Sequence, residues 1–145
     1  MTPREARDGM FTILPHTADA GLRVEAADLE TLFAEAGRGL FSLIVSDLDD
    51  VEPRTTREFA IDGDDVEYLL FDWLSELLFI FESERLLLSV FNVSVGPHAL
   101  EASAAGERVD RVRHQMEHEI KAITYHGFVV ERTTHGWAAE VIVDI

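Results

Sequence analysis

Cysteine is absent from the 145 residues, which excludes both a disulfide framework and a thiolate metal site. Lysine is almost absent: eleven arginines carry the positive charge, and Lys121 is the one lysine, against 28 aspartates and glutamates. No apolar run approaches the roughly 18 residues a membrane helix requires, because YLLFDWLSELLFIF is interrupted by Asp72, Ser75 and Glu76. The opening MTPREARDGM has no apolar core of the kind that begins a secretion signal. A cytoplasmic protein with no membrane partner is therefore expected. Repeats, low-complexity tracts and linkers are missing too, and the four prolines are scattered. The length then suits a single domain over residues 1–145, with residues 1–9 as a flexible N-terminus.

What is present is acid. A net charge of −16 repels phosphate backbones, since affinity for nucleic acid comes largely from lysine and arginine releasing counterions. Direct binding of RNA or DNA is not expected. The acidic, lysine-poor composition suits solubility in high salt, where screening shrinks self-repulsion. A GC-rich codon bias that exchanges lysine for arginine gives the same composition, so both readings stay open.

The patterning predicts α+β, with two helices packed on one face of a largely antiparallel sheet. Met10 to Leu14 and AGLRVEA read as short strands on either side of PHTAD. Asp28 is suited to cap a helix with a stripe of Leu29, Leu32, Phe33, Ala36, Leu40, Leu43 and Ile44. Gly37 and Gly39 fall inside this helix at about 1 kcal/mol each relative to alanine, which points to close packing against the sheet ahead of the approach of a partner. A strand through Arg54 to Ile61 follows. Asp64, with Glu67 three residues on, then reads as the capping box of a second helix. Its apolar positions run from Val66 through Trp73 to Phe81, while Asp72, Glu76 and Glu82 fall on a solvated face. RLLLSVFNVSV, ALEASAA, HEIKAITYH, FVVERT and WAAEVIVDI are five further candidate strands, with breaks at Gly96, Gly106, Gly127 and Gly136.

Three places hold polar groups that the local pattern does not demand. His16 to Asp19, HTAD, sits in a turn between strands, where threonine and aspartate often bond their own backbone. Lys121 alternates with apolar neighbours, sharing a strand face with Glu119, Ile123 and Tyr125. It could snorkel to water. Its retention in a chain that otherwise uses arginine hints at a carboxylate or phosphate partner suited to a compact ammonium. Asp144 ends a strand, where aspartates that converge are typical ligands of hard cations, although a lone one is usually just solvated. No nucleophile elbow, P-loop or dinucleotide fingerprint occurs, and the histidines at i, i+4, His114 and His118, fall in a loop-to-strand segment, not on a helix.

Four ordered segments, covering His16 to Ile145, resemble the archease family: HTADAGLRVEA, VEYLLFDWLSELLFIFE, EIKAITYHGFVVE and GWAAEVIVDI. The GRG of the first helix departs from the better helix formers expected there. The resemblance implies a non-enzymatic protein cofactor of an RtcB-type RNA ligase, a GTP- and metal-dependent enzyme of tRNA splicing and RNA repair. Such a cofactor is expected to promote guanylylation of the ligase and to restore its multiple turnover. The resemblance further implies a divalent cation, Ca²⁺ or Mg²⁺, held by Asp19 and Asp144 with His16 and the Ile145 terminus as neighbours. Lys121 and His126 would share that functional surface. An acidic protein suits docking on the basic RNA-binding face of such a ligase. Two competing classes are a general chaperone or adaptor for nucleic-acid-modifying proteins, and a stand-alone metal-dependent hydrolase. The hydrolase lacks an evident general base.

Overall fold

The computed structural model describes residues 9–14 and 19–145. In chain order the elements are β1 (Gly9–Leu14), β2 (Asp19–Ala26), α1 (Leu29–Ile44), β3 (Thr55–Asp62), α2 (Val66–Glu84), β4 (Leu86–Val95), β5 (Ala99–Arg108), β6 (Ala122–Thr133) and β7 (Gly136–Asp144). The fold is α+β, and each strand pairing is antiparallel. The strands divide into two sheets, ordered β1-β2-β7-β6 and β3-β5-β4, where the sequence pattern predicts one. Period-two alternation reports which face of a strand is buried, not which sheet the strand joins.

α1 packs against both sheets, and its glycines make this possible. A Cβ on Gly39 would lie 2.6 Å from Leu22 of β2, and one on Gly37 would lie 2.9 Å from the Phe91 ring of β4. The two positions point to opposite sides of the helix, so each glycine admits one sheet. The expectation of close packing holds. Asp28 caps α1 as expected, accepting from the Thr31 amide at 2.7 Å.

The cap of α2 is Asp65, not Asp64. Asp65 accepts from the Glu67 and Tyr68 amides, while Asp64 turns to His98 at 2.7 Å. The apolar stripe of α2 from Leu69 to Phe81 is buried, and Trp73 donates its Nε1–H to the Phe33 carbonyl at 3.0 Å, fixing α2 to α1. HEIKAITYH and FVVERT read as two strands, but Ala122 to His126 and FVVERT belong to one strand, β6, and residues 118–121 precede it. The β6–β7 register shifts between Thr124 and Val129, and Gly127 takes φ +70° inside that irregularity. A glycine adopts such a left-handed φ without the Cβ penalty, so it marks a bulge here rather than a strand break. Gly9, counted with the flexible N-terminus, opens β1; residues 1–8 lie outside the described residues.

Candidate functional site

β2 begins at Asp19 and β7 ends at Asp144, and the register sets these two residues directly opposite each other. Opposed residues of an antiparallel pair project from the same face with Cβ atoms about 4.5–5.5 Å apart. On its other side Asp144 opposes Ala122, the first residue of β6. The amide of Lys121 donates to the Asp144 carbonyl at 2.7 Å. Two residues from opposite ends of the chain thus meet at one end of the sheet, with the lone lysine beside them. Asp19 is half-buried, and Asp144 and Lys121 are exposed.

Lys121 departs from the expectation in two ways. It precedes β6 instead of lying within a strand, and it is exposed instead of set among apolar neighbours. The inward positions are Ile120 and Ile123, which the irregular start of β6 brings to one side, so strict alternation fails here. His126 is exposed on β6, and its carbonyl accepts from the Thr124 hydroxyl at 3.3 Å. Ile145 is half-buried, with its side chain packed against the core. His16 lies outside the described residues.

The donor chemistry at Asp19 and Asp144 fits a hard divalent cation, which takes carboxylate oxygens and fills its remaining positions with water or other oxygens. Like charges set directly across a strand pair repel, and a cation between them would remove that cost. Among the described residues no group of three or more His, Cys, Asp or Glu side chains forms a closed cage. The pair would therefore hold an ion only in an open site.

A second polar cluster, which the sequence did not single out, lies along the segment that leads to Lys121. Glu107 of β5 is buried, and it accepts from Arg113 Nη2 at 2.5 Å and from the Glu52 amide at 2.8 Å. The Asp110 amide donates to His114 Nδ1 at 2.9 Å, so the proton of a neutral imidazole sits on Nε2 and points to Glu107 Oε2 at 3.1 Å. The hydrogen bond from Arg113 outweighs burial and holds the Glu107 carboxyl at about 2. Beyond His114 the chain is tied to the end of α1 and its exit, through bonds from Ser46 to the Gln115 carbonyl and from Glu117 and His118 to the Ile44 and Leu43 carbonyls. The crossover that delivers Lys121 to Asp144 is thus fastened along its length. The periodicity of β5 gave no sign of this, because the groups covering Glu107 come from other segments.

An aromatic ladder joins β6 to α2. Tyr125 stacks on Tyr68 at 5.3 Å and on Phe128 at 5.8 Å, with Phe71 edge-on to both Tyr125 and Phe128. The Tyr125 hydroxyl donates to Glu67 Oε1 at 2.6 Å. That bond, with burial adding to it, pushes the phenol well above its ordinary value. The available signal is the tyrosine of the KAITYH segment, which strict alternation places on the Lys121 face.

The Archease protein family model matches residues 11–145 of the chain. Protein archease of Methanopyrus kandleri is 42% identical over 136 residues, which is 91% of this chain and 96% of that protein. Protein archease of Methanosarcina mazei is 37% identical over 140 residues, or 93% and 95% of the two chains. A Methanobacterium thermoautotrophicum protein solved in solution superposes with a TM-score of 0.82 at 33% identity, covering 95% of this chain and 99% of its own. The crystal structure of a Thermotoga maritima archease, described as a possible chaperone, shares the fold with a TM-score of 0.65 at 20% identity, over 91% of this chain and 94% of its own. The chain belongs to the archease family.

Proposed function

We propose that the protein acts on a protein partner, an RtcB-type RNA ligase, and promotes its guanylylation and multiple turnover without catalysing a reaction itself. The observation that carries this reading is the register pairing of Asp19 with Asp144, with the Lys121 amide on the Asp144 carbonyl. Opposed carboxylates at a sheet end are a poor choice for stability and a suitable one for an oxygen-seeking cation, Ca²⁺ or Mg²⁺. The net charge of −16 supports docking on a basic protein surface, and it opposes direct contact with RNA. In this reading Lys121 and the exposed His126 flank the carboxylates on the surface that meets the ligase.

The test is a ligation assay with excess 3′-phosphorylated RNA, GTP, divalent metal and limiting ligase. Wild-type protein should raise the number of turnovers per ligase, and Asp144→Ala should lose that gain while keeping its fold. Equal assistance by Asp144→Ala would remove the role assigned to the pair. A general chaperone, the reading suggested by the description of the Thermotoga relative, should also protect unrelated clients from aggregation. Activity on RNA or phosphate esters without ligase would favour a hydrolase.

A further inference from the structure

We propose that the outward face of α2 is a docking surface for an arginine-bearing amphipathic segment of a protein partner, seated between Tyr68 and Phe79. The inference rests on the reading above that this chain acts through a protein partner, and it names the surface and the chemistry of contact.

Tyr68, Asp72, Glu76 and Phe79 recur at i, i+4, i+8 and i+11, so they form one stripe of the helix. This stripe is opposite to the buried one: Tyr68 is 56% exposed and Phe79 is 61% exposed. The core of α2 is complete without them, since Leu69, Leu70, Trp73, Leu74, Leu77, Leu78 and Phe81 fill the inward face. Two large rings thus stand in water about 16 Å apart, by the helical rise of about 1.5 Å per residue. Scattered single apolar residues are ordinary on a surface, but two rings on one stripe, with carboxylates between them, make a patterned face.

The chemistry of that face selects the occupant. From Val66 to Glu84 the helix has no lysine or arginine, and Asp72, Glu76 and Glu82 are exposed. The Tyr68 ring is backed by the Tyr125 stack, which the Glu67 hydrogen bond holds in place. A rigid aromatic face beside carboxylates is a seat for guanidinium, which stacks on rings and pairs with carboxylates through its planar fork. Phe79 then supplies the apolar contact at the other end. A second copy of this chain is disfavoured because two acidic faces repel, and nucleic acid is disfavoured because its phosphates meet the same field.

The experiment uses the full chain with two probes: the purified ligase, and a synthetic arginine-rich amphipathic helical peptide with leucines at helical spacing. Variants are Tyr68→Ser, Phe79→Ser and Glu76→Arg, all at exposed positions where circular dichroism should match wild type. Both probes should bind each variant at least ten-fold more weakly than they bind wild type. If ligase binds wild type and the α2 variants equally, the docking surface is overturned and the proposed function stands. If ligase does not bind wild type, the proposed function fails. The peptide then decides the surface alone: a ten-fold loss in the variants supports it, and equal binding overturns it. Self-association or RNA binding that the variants abolish would assign the face to another occupant and overturn the proposal.

Discussion

Glu107, near the end of β5, is met from every side: Arg113, His114 and the Glu52 amide all donate to it. Asp144, at the end of β7, is set opposite another carboxylate. One acid is buried with its donors complete, as folding requires of a buried charge. The other sits at an exposed sheet end in an arrangement that stability alone would not choose. The difference separates two uses of acid in one small chain. Around Glu107 it fastens the crossover to Lys121, and beside Lys121 it forms the candidate site.

The largest effect expected from this contrast is on folding. Glu107→Ala removes the carboxylate that Arg113 and His114 share and leaves them Asp110 and the Asp50 carbonyl, and loss of a buried acceptor of charge-assisted hydrogen bonds costs about 1.5–3 kcal/mol. Asp144→Ala removes an exposed carboxylate and should change stability by no more than about 0.5 kcal/mol. Urea unfolding of both variants checks the ranking. Equal losses would erase the distinction drawn between the two acids.

Acid should act on the Glu107 site in the same direction. Its folded carboxyl is held at about 2, below the ordinary glutamate value of 4.5. A group depressed on folding contributes stability that is present above its unfolded value and is lost as pH falls towards its folded one. The window therefore runs from about 4.5 down to about 2. At 1.36 kcal/mol per unit, the contribution is on the order of 3 kcal/mol. The stability gap between wild type and Glu107→Gln should narrow across this window, and a gap that stays constant would show that the carboxylate charge is not what matters.

How much of this was legible in the sequence depends on where the information lies. Both helices were legible, because the stripes of α1 and α2 repeat with the helical period and end in caps, with Asp65 displacing Asp64 by one residue. Each of Gly37 and Gly39 signalled a close approach, but not that two different sheets were approaching. The start of β6 was misread at Lys121, since a strand entered irregularly and bulged at Gly127 does not keep period two. Glu107 could not be found by any local pattern, as its cover comes from residues 50–54 and 110–114. The Asp19–Asp144 pairing depends on strand order between the two ends of the chain. No period within either segment encodes it, and it was expected only from the family resemblance.

The metal reading predicts an intermediate effect confined to the acidic pair. An ion that binds only the folded state stabilises it by RT ln(1 + [L]/Kd), about 2.7 kcal/mol at a concentration 100 times Kd. Ca²⁺ or Mg²⁺ should raise the Tm of wild type and of Phe79→Ser alike, and EDTA should reverse the gain. Asp19→Asn and Asp144→Asn should lose it. A rise that survives in both variants would place the ion elsewhere on this acidic surface.

The smallest effect on stability, and the finest test of the contrast, is Lys121→Arg. Lys121 is exposed, so the desolvation of its ammonium supplies no reason for its retention. Its main-chain bond to Asp144 survives any substitution other than proline, and unfolding should therefore shift by no more than about 0.5 kcal/mol. What the substitution does change is the head group: a compact ammonium with three rotatable donors becomes a wider planar fork. If the lysine works with the carboxylates on a surface that meets the ligase, the arginine variant should bind the ligase but support fewer turnovers. Lys121→Ala should support fewer still. If Lys121→Arg matches wild type in turnovers, Lys121 is a solvated side chain, and the function of this sheet end rests on Asp19 and Asp144 alone.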